Sequence, residues 1–398
     1  MVLLYFAGFL IGRIEGDGMS TPQATTPRLS GRATPQGTRR YAARFQGRAA
    51  SRHFREAAGG LCVSSLGIGT YLGEPDLSTD KAYAEAVTAA IEGGLNLIDS
   101  AINYRFQRSE RSVGLALKSL AARGFSREEI VLCTKAGFLT PDGGMPDDPE
   151  AYFSREFLER GIFRPEDIVA GCHCLLPGYL ADQLERSRAN LGVECIDVFY
   201  LHNPETQLDE ISGEEFRWRI AQAFTFLESA VVAGKIAAYG FATWNCFRLD
   251  PQEPGYISLA AMEQIAREAG GPTHHFRFLQ LPLNLAMPEA LLKPNQVVQG
   301  KTMAIVQAAR ALGVTLVTSA ALLEGQLTRK LPSYIGRALG LESNSAQALQ
   351  FARSVPGVTT ALVGMSDVAH VRANLELVAV ELAPRDQFLK LFEPQTKR

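Results

Sequence analysis

The sequence is poor in the features that define several protein classes. Only six of its 398 residues are cysteine, too few for a disulfide-stapled secreted scaffold. No run of 18 or more apolar residues occurs, which argues against a conventional transmembrane helix. Neither sign of charge is in excess, since Lys and Arg total 40 and Asp and Glu total 42. We therefore expect a globular, cytoplasmic protein with neither a nucleic-acid nor a membrane partner.

Acidic residues are scarce in the amino-terminal 58 residues. That segment has nine arginines and three acids, a net charge of +6, whereas the whole chain carries −2. No acid lies between Ser20 and Arg55, where Ser, Thr, Pro, Gly and Gln abound. Such a composition buries too little apolar surface to offset its ordering entropy, so we predict a disordered basic extension over residues 1–58. Deletion of residues 1–55 should therefore leave folding and activity intact. A targeting leader and a partner-binding arm are alternatives, and either Met1 or Met19 is the start.

From about Leu61 onward, eight short apolar runs alternate with eight helical patterns. The strand candidates are 65–71, 95–99, 130–135, 196–202, 236–241, 276–283, 314–318 and 360–364. The helix candidates are 80–93, 110–122, 180–191, 215–233, 257–268, 301–312, 345–353 and 366–378. Nearly continuous apolar strands separated by helices are typical of a parallel sheet that helices cover.

The count of eight units favours a closed α/β fold. An open doubly wound sheet often carries G-x-G-x-x-G after its first strand, but residues 71–76 read Tyr-Leu-Gly-Glu-Pro-Asp. We therefore predict a single-domain (β/α)₈ TIM barrel over residues 59–398. A long segment at about 138–178 is too long for an ordinary loop, and we interpret it as a rim insertion. It either roofs the pocket as a lid or packs outside the barrel.

Polar side chains stand at the ends of three successive predicted strands. Asp99 ends the second strand, and Tyr104 follows five residues later. Lys135 ends the third strand and His202 the fourth. Because barrel enzymes place their chemistry at the carboxyl ends of strands, these four residues predict one active site.

Residues 94–101, with Tyr104 and the following Ser109-Glu110, resemble the first motif of the aldo-keto reductases. Lys135 and His202 fall where the remaining catalytic residues of that family lie. The resemblance runs from about Leu61 to Val380. It implies a (β/α)₈ fold and nicotinamide-dependent reduction of a carbonyl, or oxidation of an alcohol, on a small molecule. The oligomeric state is left open.

The residue chemistry suits that reaction. A carbonyl that receives hydride needs a proton donor, and the phenol of Tyr104 is protonated at neutral pH. The ammonium of Lys135 would lower the pKa of this phenol, and Asp99 would keep Lys135 charged and oriented. His202 would hydrogen-bond the carbonyl oxygen.

The resemblance also implies a set of cofactor-binding residues at the later strand ends. They are Thr243, Gln280, Ser319, Leu322, Gly364, Ser366 and Asn374. Three departures weaken the match: Ala242-Thr243 replaces the usual Ser-Asn, no aromatic ring precedes Ser319, and Ser366 replaces a cation. NADP is expected, with NAD possible.

Two further residues bear on the cofactor. Trp244 either supplies the missing stacking ring or packs on the rim. Arg372 lies further along the last predicted helix, and NADP is preferred if it reaches back to the phosphate. If Arg372 points to solvent, the two nucleotides should be used within roughly tenfold of each other.

The sequence allows two other interpretations. Cys172-His173-Cys174 has no second Cys/His pair at zinc spacing, so no metal site is predicted. The departures at the cofactor positions allow a cofactor-sensing or partner-binding barrel with little turnover. The catalytic quartet favours the enzyme, because a binding protein has no need of Tyr104 and Lys135 together.

Overall fold

The computed structural model describes residues 28–392 of the chain. Within them, eight parallel strands close into a barrel, in the order β3-β4-β5-β6-β7-β8-β11-β12, and two short antiparallel ribbons lie beside it. The strands are β1 (Phe54–Glu56), β2 (Cys62–Ser64), β3 (Leu66–Gly69), β4 (Leu97–Asp99), β5 (Val131–Ala136), β6 (Ile196–His202), β7 (Ile236–Ala242), β8 (Phe276–Pro282), β9 (Gln296–Val298), β10 (Lys301–Met303), β11 (Thr315–Ser319) and β12 (Val358–Gly364). The predicted (β/α)₈ barrel is confirmed.

Helices surround the barrel and connect its strands. They are α1 (Pro35–Ala43), α2 (Leu77–Glu92), α3 (Arg108–Ala122), α4 (Pro149–Phe153), α5 (Pro177–Leu191), α6 (Gly213–Val232), α7 (Leu259–Gly270), α8 (Glu289–Leu292), α9 (Ile305–Ala311), α10 (Ser333–Leu339), α11 (Asn344–Ser354), α12 (Val368–Leu375) and α13 (Arg385–Leu389). The 20 residues of α6 illustrate the pattern: Ser212 caps its first turn, and apolar residues from Phe216 to Leu227 recur at helical spacing on the buried face. No helix within residues 28–392 has the length and apolarity to cross a membrane.

One predicted helix begins too early. The pattern over 301–312 was interpreted as helical throughout, but Lys301–Met303 is strand β10, which pairs antiparallel with β9. Gln299 and Gly300 have φ angles of 51° and 74°, so the chain turns back on itself before β10. Helix α9 starts only at Ile305.

Alternation along the barrel strands places the polar residues of the site above an apolar layer. Leu97, Cys133 and Tyr200 belong to one buried cluster inside the barrel. Asp99, Lys135 and His202 follow these three residues by two positions on the same strands, so they face the same way one layer nearer the carboxyl ends. The strand register supports this arrangement, since Asp99 pairs with Cys133 and Lys135 with Tyr200.

The prediction of disorder over residues 1–58 is wrong for residues 28–58, while residues 1–27 lie outside the described residues. Thr34 caps α1, and Tyr41 on that helix is fully buried. The Tyr41 hydroxyl donates to the main-chain oxygens of Ile91 and, at 2.8 Å, Leu95. Composition misled here because a few apolar residues, Tyr41 and Phe45 among them, are buried by contacts with distant parts of the chain.

Charged groups complete the attachment of this segment, which we call the amino-terminal clasp (residues 28–58). Arg44 contacts the Glu129 carboxylate at 3.0 Å, and the Glu129 side chain is completely buried. The main-chain N–H of Ala33 donates to Asp197 Oδ1 at 2.6 Å. Arg55 donates at 2.6 Å to the main-chain oxygen of Val358, the first residue of β12, which is the last barrel strand. The clasp is therefore part of the folded domain.

Candidate active site

Three of the four predicted catalytic side chains meet in one hydrogen-bonded group. Lys135 is fully buried, and its ammonium lies 2.6 Å from Asp99 Oδ2. The same Nζ lies 3.2 Å from the hydroxyl of Tyr104 and 2.7 Å from the main-chain oxygen of Ser100. His202 completes the quartet through its ring, which stands almost perpendicular to that of Tyr104 with the centroids 5.8 Å apart.

The charges of this group are fixed by burial and by ion pairing. Burial alone would lower the pKa of Lys135, but the Asp99 carboxylate and the Tyr104 phenol outweigh it and raise that pKa. For Tyr104 the balance differs from the sequence prediction. Burial raises the pKa of the phenol above its ordinary value, and the nearby Lys135 charge only partly opposes it. Tyr104 is therefore protonated at neutral pH, as a proton donor must be.

The loop that carries Tyr104 is held in an unusual backbone conformation. Arg105, Phe106 and Gln107 all have φ between 48° and 71°, a region that costs non-glycine residues roughly 1 kcal/mol or more each. Side-chain contacts compensate: buried Arg105 bonds Asp80 at 2.7 Å and Ser109 at 3.0 Å. The position of Tyr104 thus depends on a carboxylate from α2.

The rim insertion supports His202 from behind. His173 is completely buried, and its Nε2 donates to the main-chain oxygen of His202 at 2.7 Å. Its Nδ1 accepts from Gln207 at 2.9 Å, and Gln207 accepts from Arg219 at 2.9 Å. Phe138, at the start of the insertion, packs edge-on against both imidazole rings. The two ends of the insertion therefore form one wall of the site.

The middle of the insertion packs into a small cluster apart from the site. Phe157 and Phe163 of the insertion are buried there with Cys174, next to His173, and with Tyr179 of α5. The insertion is therefore neither a lid alone nor an outlying addition, since its ends contact the site and its middle packs against α5. Within residues 28–392, no group of three or more His, Cys, Asp or Glu side chains is placed to hold a metal ion.

Two of the predicted cofactor residues are already hydrogen-bonded within the site. The amide nitrogen of Gln280 donates to Asp99 Oδ1 at 2.7 Å, so Gln280 orients the carboxylate that holds Lys135. Thr243 bonds the main-chain oxygen of Gln280 through its N–H and its hydroxyl. Ser319 and Leu322 follow at and after the end of β11, both half-buried.

The remaining three predicted cofactor residues lie at or after the end of β12, at different depths. Gly364 and Ser366 are exposed on the rim, and a Cβ on Gly364 would meet no atom within 4 Å. Asn374 is buried, and its amide donates to the Met365 thioether at 3.2 Å. Arg372 lies on the outer face of α12, where it lines a groove with Glu92 of α2. Ser366 is not among the residues that line this groove.

Aromatic rings on the rim include one that sequence reasoning missed. Trp244 is 43% exposed, and its main-chain N–H donates to the Glu205 carboxylate at 2.6 Å. Tyr71, just past the end of β3, is half-exposed, and its ring packs edge-on against Tyr104 with centroids 4.9 Å apart. Applying the strand-end rule to the first barrel strand would have found Tyr71.

Two polar residues beside His202 were also missed. The sequence around His173 suggests only a metal ligand, and nothing in it links His173 to His202. Asn103 directly precedes Tyr104, and its Oδ1 lies 3.2 Å from His202 Nδ1. Its position next to the predicted catalytic Tyr104 is the sequence feature that could have placed Asn103 at the site.

Comparison with known proteins gives a consistent result. The chain matches the Aldo/keto reductase family over residues 65–266. It is 30% identical over 190 residues to the D-threo-aldose 1-dehydrogenase of a Pseudomonas species. That alignment covers 47% of this chain and 52% of the relative. It is 28% identical over 187 residues to the NADH-specific methylglyoxal reductase of Escherichia coli. That alignment covers 46% of this chain and 49% of the relative. The chain thus spans about half the length of the curated relatives it matches.

Solved structures extend the likeness in fold. An aldo-keto reductase from Klebsiella pneumoniae, in complex with NADP and acetate, is 18% identical. It superposes with a TM-score of 0.58 over 87% of this chain and 98% of that one. At this identity the comparison concerns the barrel architecture alone.

Proposed function

The chain belongs to the aldo-keto reductase family, and on that premise we propose that it is an NAD(P)-dependent oxidoreductase that interconverts a small carbonyl compound and its alcohol. The observation that carries the proposal is the position of the Lys135 ammonium, 2.6 Å from Asp99 and 3.2 Å from the Tyr104 hydroxyl. A fully buried lysine at a phenol is suited to proton transfer. A barrel that only senses a cofactor has no use for it.

Each residue of the quartet has a distinct task in this proposal. Tyr104 donates its proton to the alkoxide that forms when the carbonyl carbon is reduced. Lys135 holds the phenol oxygen in place and stabilises the negative charge left on it. Asp99 balances the charge of Lys135 and is itself oriented by Gln280. His202, whose ring lies beside those of Tyr104 and Phe138, contacts the substrate from the side of the rim insertion.

The rim between β11 and β12 fits a nicotinamide nucleotide. Space is open above Gly364, where even a Cβ would meet no protein atom, so a ligand can approach the main chain there. Ser319, Leu322 and Ser366 would border the nucleotide, and Thr243 the nicotinamide end. When bound, the cofactor supplies or accepts the hydride. We propose NADP as the usual partner, with NAD also accepted, which agrees with the cofactors named for the relatives above.

The direct experiment measures nucleotide binding and turnover on the same purified full-length protein. Fluorescence titration with NADPH and NADH reports binding, and nucleotide absorbance reports turnover on a panel of aldehydes and ketones. We expect both binding and carbonyl-dependent oxidation of the nucleotide. Binding without turnover of any carbonyl would favour the sensing barrel instead. We also propose a cytoplasmic location, which suits a chain whose six cysteines are all unpaired.

Cofactor choice should be weakly selective. Position 366 is a serine and Arg372 lines the outer groove, so we expect neither residue to hold the 2′-phosphate as a charged clamp. We expect kcat/KM for NADPH and NADH to lie within about tenfold of each other, roughly 1.4 kcal/mol. Arg372→Ala should change the KM for NADPH by less than about twofold.

Ser366→Arg is the matched gain-of-function variant, and it should raise the preference for NADPH by about tenfold. The measurement is kcat/KM for NADPH and for NADH in the wild-type protein and in both variants. A hundredfold NADPH preference in the wild-type protein that survives Arg372→Ala would mean that the phosphate lies elsewhere.

The pH profile of alcohol oxidation should depend on Lys135. Oxidation needs the phenolate of Tyr104, and the Lys135 charge lowers the pKa of that phenol, against the larger effect of burial. Lys135→Met should therefore raise this pKa, reduce oxidation and move to higher pH the limb on which oxidation rises with pH. Because the variant leaves Asp99 without its partner, Lys135→Met/Asp99→Asn is the control for misfolding. A limb at the wild-type pH in both variants would contradict the role of Lys135.

A further inference from the structure

The three residues that follow Tyr104 hold a backbone conformation that needs support from the rest of the protein. Arg105, Phe106 and Gln107 have φ angles of 48°, 57° and 71°, and none of them is the glycine that this region favours. For each such residue the left-handed conformation is populated roughly five- to thirtyfold less than the ordinary ones. Contacts with other segments must therefore select this loop, and Arg105 stands nearest to Tyr104 in the chain.

The guanidinium of Arg105 is enclosed between α2 and α3. Its side chain is 2% exposed, and Nη1 lies 2.7 Å from Asp80 Oδ1. The ring of Tyr83, also on α2, has its centroid 4.8 Å from Cζ of the guanidinium. On α3, the hydroxyls of Ser109 and Ser112 accept from Nε and Nη2, both at 3.0 Å. All three guanidinium nitrogens thus have partners, and we call these four side chains the Arg105 cage.

Asp80 supplies the negative charge of the cage. Its second oxygen, Oδ2, lies 2.5 Å from Nη2 of Arg108, so the carboxylate bridges two arginines of the segment that follows β4. The catalytic ammonium of Lys135 has a carboxylate of its own, that of Asp99 at 2.6 Å. Asp80 therefore influences proton transfer through the loop that carries Tyr104.

The cage is also linked to the ring that packs on Tyr104. Tyr83, beside Arg105, donates its hydroxyl to the main-chain oxygen of Leu72 at 2.6 Å. The neighbouring Tyr71 packs edge-on against the Tyr104 ring, with the centroids 4.9 Å apart. One guanidinium thus joins the loop that carries Tyr104 to the loop against which its ring packs.

We propose that the buried ion pair between Asp80 and Arg105 holds the Tyr104 hydroxyl in the geometry that proton transfer needs. Both are positioning residues, and the proposal rests on the proposed reductase function because it concerns the proton donor of that reaction. Without Asp80, the guanidinium is left buried and unpaired, and the loop relaxes toward the ordinary backbone conformations. Tyr104 then meets the substrate oxygen in a fraction of the molecules, so kcat falls while the nucleotide still binds.

Asp80→Asn is the first test, because it keeps the size of the side chain and removes its charge. We expect kcat, on the carbonyl compound that the wild-type protein turns over fastest, to fall at least fivefold. The dissociation constant for NADPH, from fluorescence titration, should stay within about twofold. Glu92→Gln is the matched control, since Glu92 also lies on α2 and pairs at 2.7 Å with Arg123, just after α3. A smaller loss of kcat in Asp80→Asn, or an equal loss in Glu92→Gln, overturns the proposal.

A glycine in the loop separates positioning from a general loss of stability. At position 106 a glycine adopts the left-handed conformation without penalty, so the loop depends less on the ion pair. Asp80→Asn/Phe106→Gly should therefore have about fivefold higher kcat than Asp80→Asn/Phe106→Ala, which loses the same ring and keeps the penalty. Equal kcat in these two variants would contradict the proposal, because the conformation of the loop would then not limit turnover.

Hydrogen exchange tests the cage without turnover. Amide exchange, followed by mass spectrometry, should quicken in peptides covering residues 104–111 of Asp80→Asn and keep the wild-type rate in Glu92→Gln. If Asp80→Asn does not fold, Asp80→Leu/Arg105→Met removes both buried charges and carries the same expectations. A wild-type exchange rate in this segment overturns the proposal whatever the kinetics show. If exchange quickens but the wild-type protein turns over no carbonyl, the reductase function fails, whereas the cage still holds the loop.

Discussion

Replacing Tyr104 by phenylalanine is expected to lower kcat for carbonyl reduction by a hundredfold or more. The substitution removes the hydroxyl that Lys135 contacts at 3.2 Å and leaves the ring in place. A positioned general acid typically contributes about 10²–10⁴-fold, so most turnover is lost with the proton. Cofactor affinity, measured by fluorescence titration, should stay within a few fold, because the phenol acts on the substrate oxygen.

Tyr152→Phe is the matched control for the loss of a phenolic hydroxyl. Tyr152 lies on the rim insertion, where its oxygen accepts from the N–H of Asp142 at 3.1 Å, outside the catalytic group. Its kcat should remain within about twofold of the wild-type value. A Tyr104→Phe protein that keeps more than a tenth of wild-type kcat would show that another group supplies the proton.

Deleting residues 1–55 is expected to unfold or severely destabilise the protein, contrary to what composition suggests. The deletion removes Tyr41 and Phe45 and exposes the apolar surface against which they pack. It also removes Arg40 and Arg44, the ion-pair partners of the buried Glu129 carboxylate. A buried charge that loses its partners costs about 3–5 kcal/mol, and the lost aromatic burial adds about 2 kcal/mol per ring. For a domain of this size, such a loss lowers the melting temperature by at least about 10 °C.

A chain that begins at Arg28 keeps every contact described above and serves as the length control. Tyr41→Ala tests the same packing without a truncation, and exposed Arg39→Ala is its neutral counterpart on the same helix. Circular dichroism melts of the four proteins give the comparison. Equal melting temperatures for the 1–27 and 1–55 deletions would show that the clasp contributes nothing to stability.

The barrel strands were predictable because each is buried on both faces. Ile196–His202 and Ile236–Ala242 read as nearly continuous apolar runs, and the structure begins both strands at the predicted residue. The rule that places chemistry at strand ends then brought Asp99, Lys135 and His202 to one rim. These inferences use only local pattern and the symmetry of the barrel.

What could not be predicted depends on contacts between distant residues. The pKa of Tyr104 was expected to fall because Lys135 was foreseen, but the extent of burial is a property of the folded site. Asn103 and His202 are 99 residues apart, and no sequence pattern pairs an amide with an imidazole over that distance. The 28–58 segment was misjudged for the same reason, since Tyr41 finds its partners 50 and 54 residues away.

The amino-terminal clasp has a consequence for how the chain is made. Arg55 bonds Val358, 303 residues later, and the first barrel strand, β3, pairs with the last, β12. At about 5–20 residues per second, a ribosome needs on the order of 15–60 s to synthesise the intervening chain. The partners of Tyr41 and Arg44 are made early in that interval, but Val358 and strand β12 do not exist until its end. An arginine-rich, nearly acid-free segment with few apolar residues stays hydrated meanwhile, and its docking is completed only when the barrel closes.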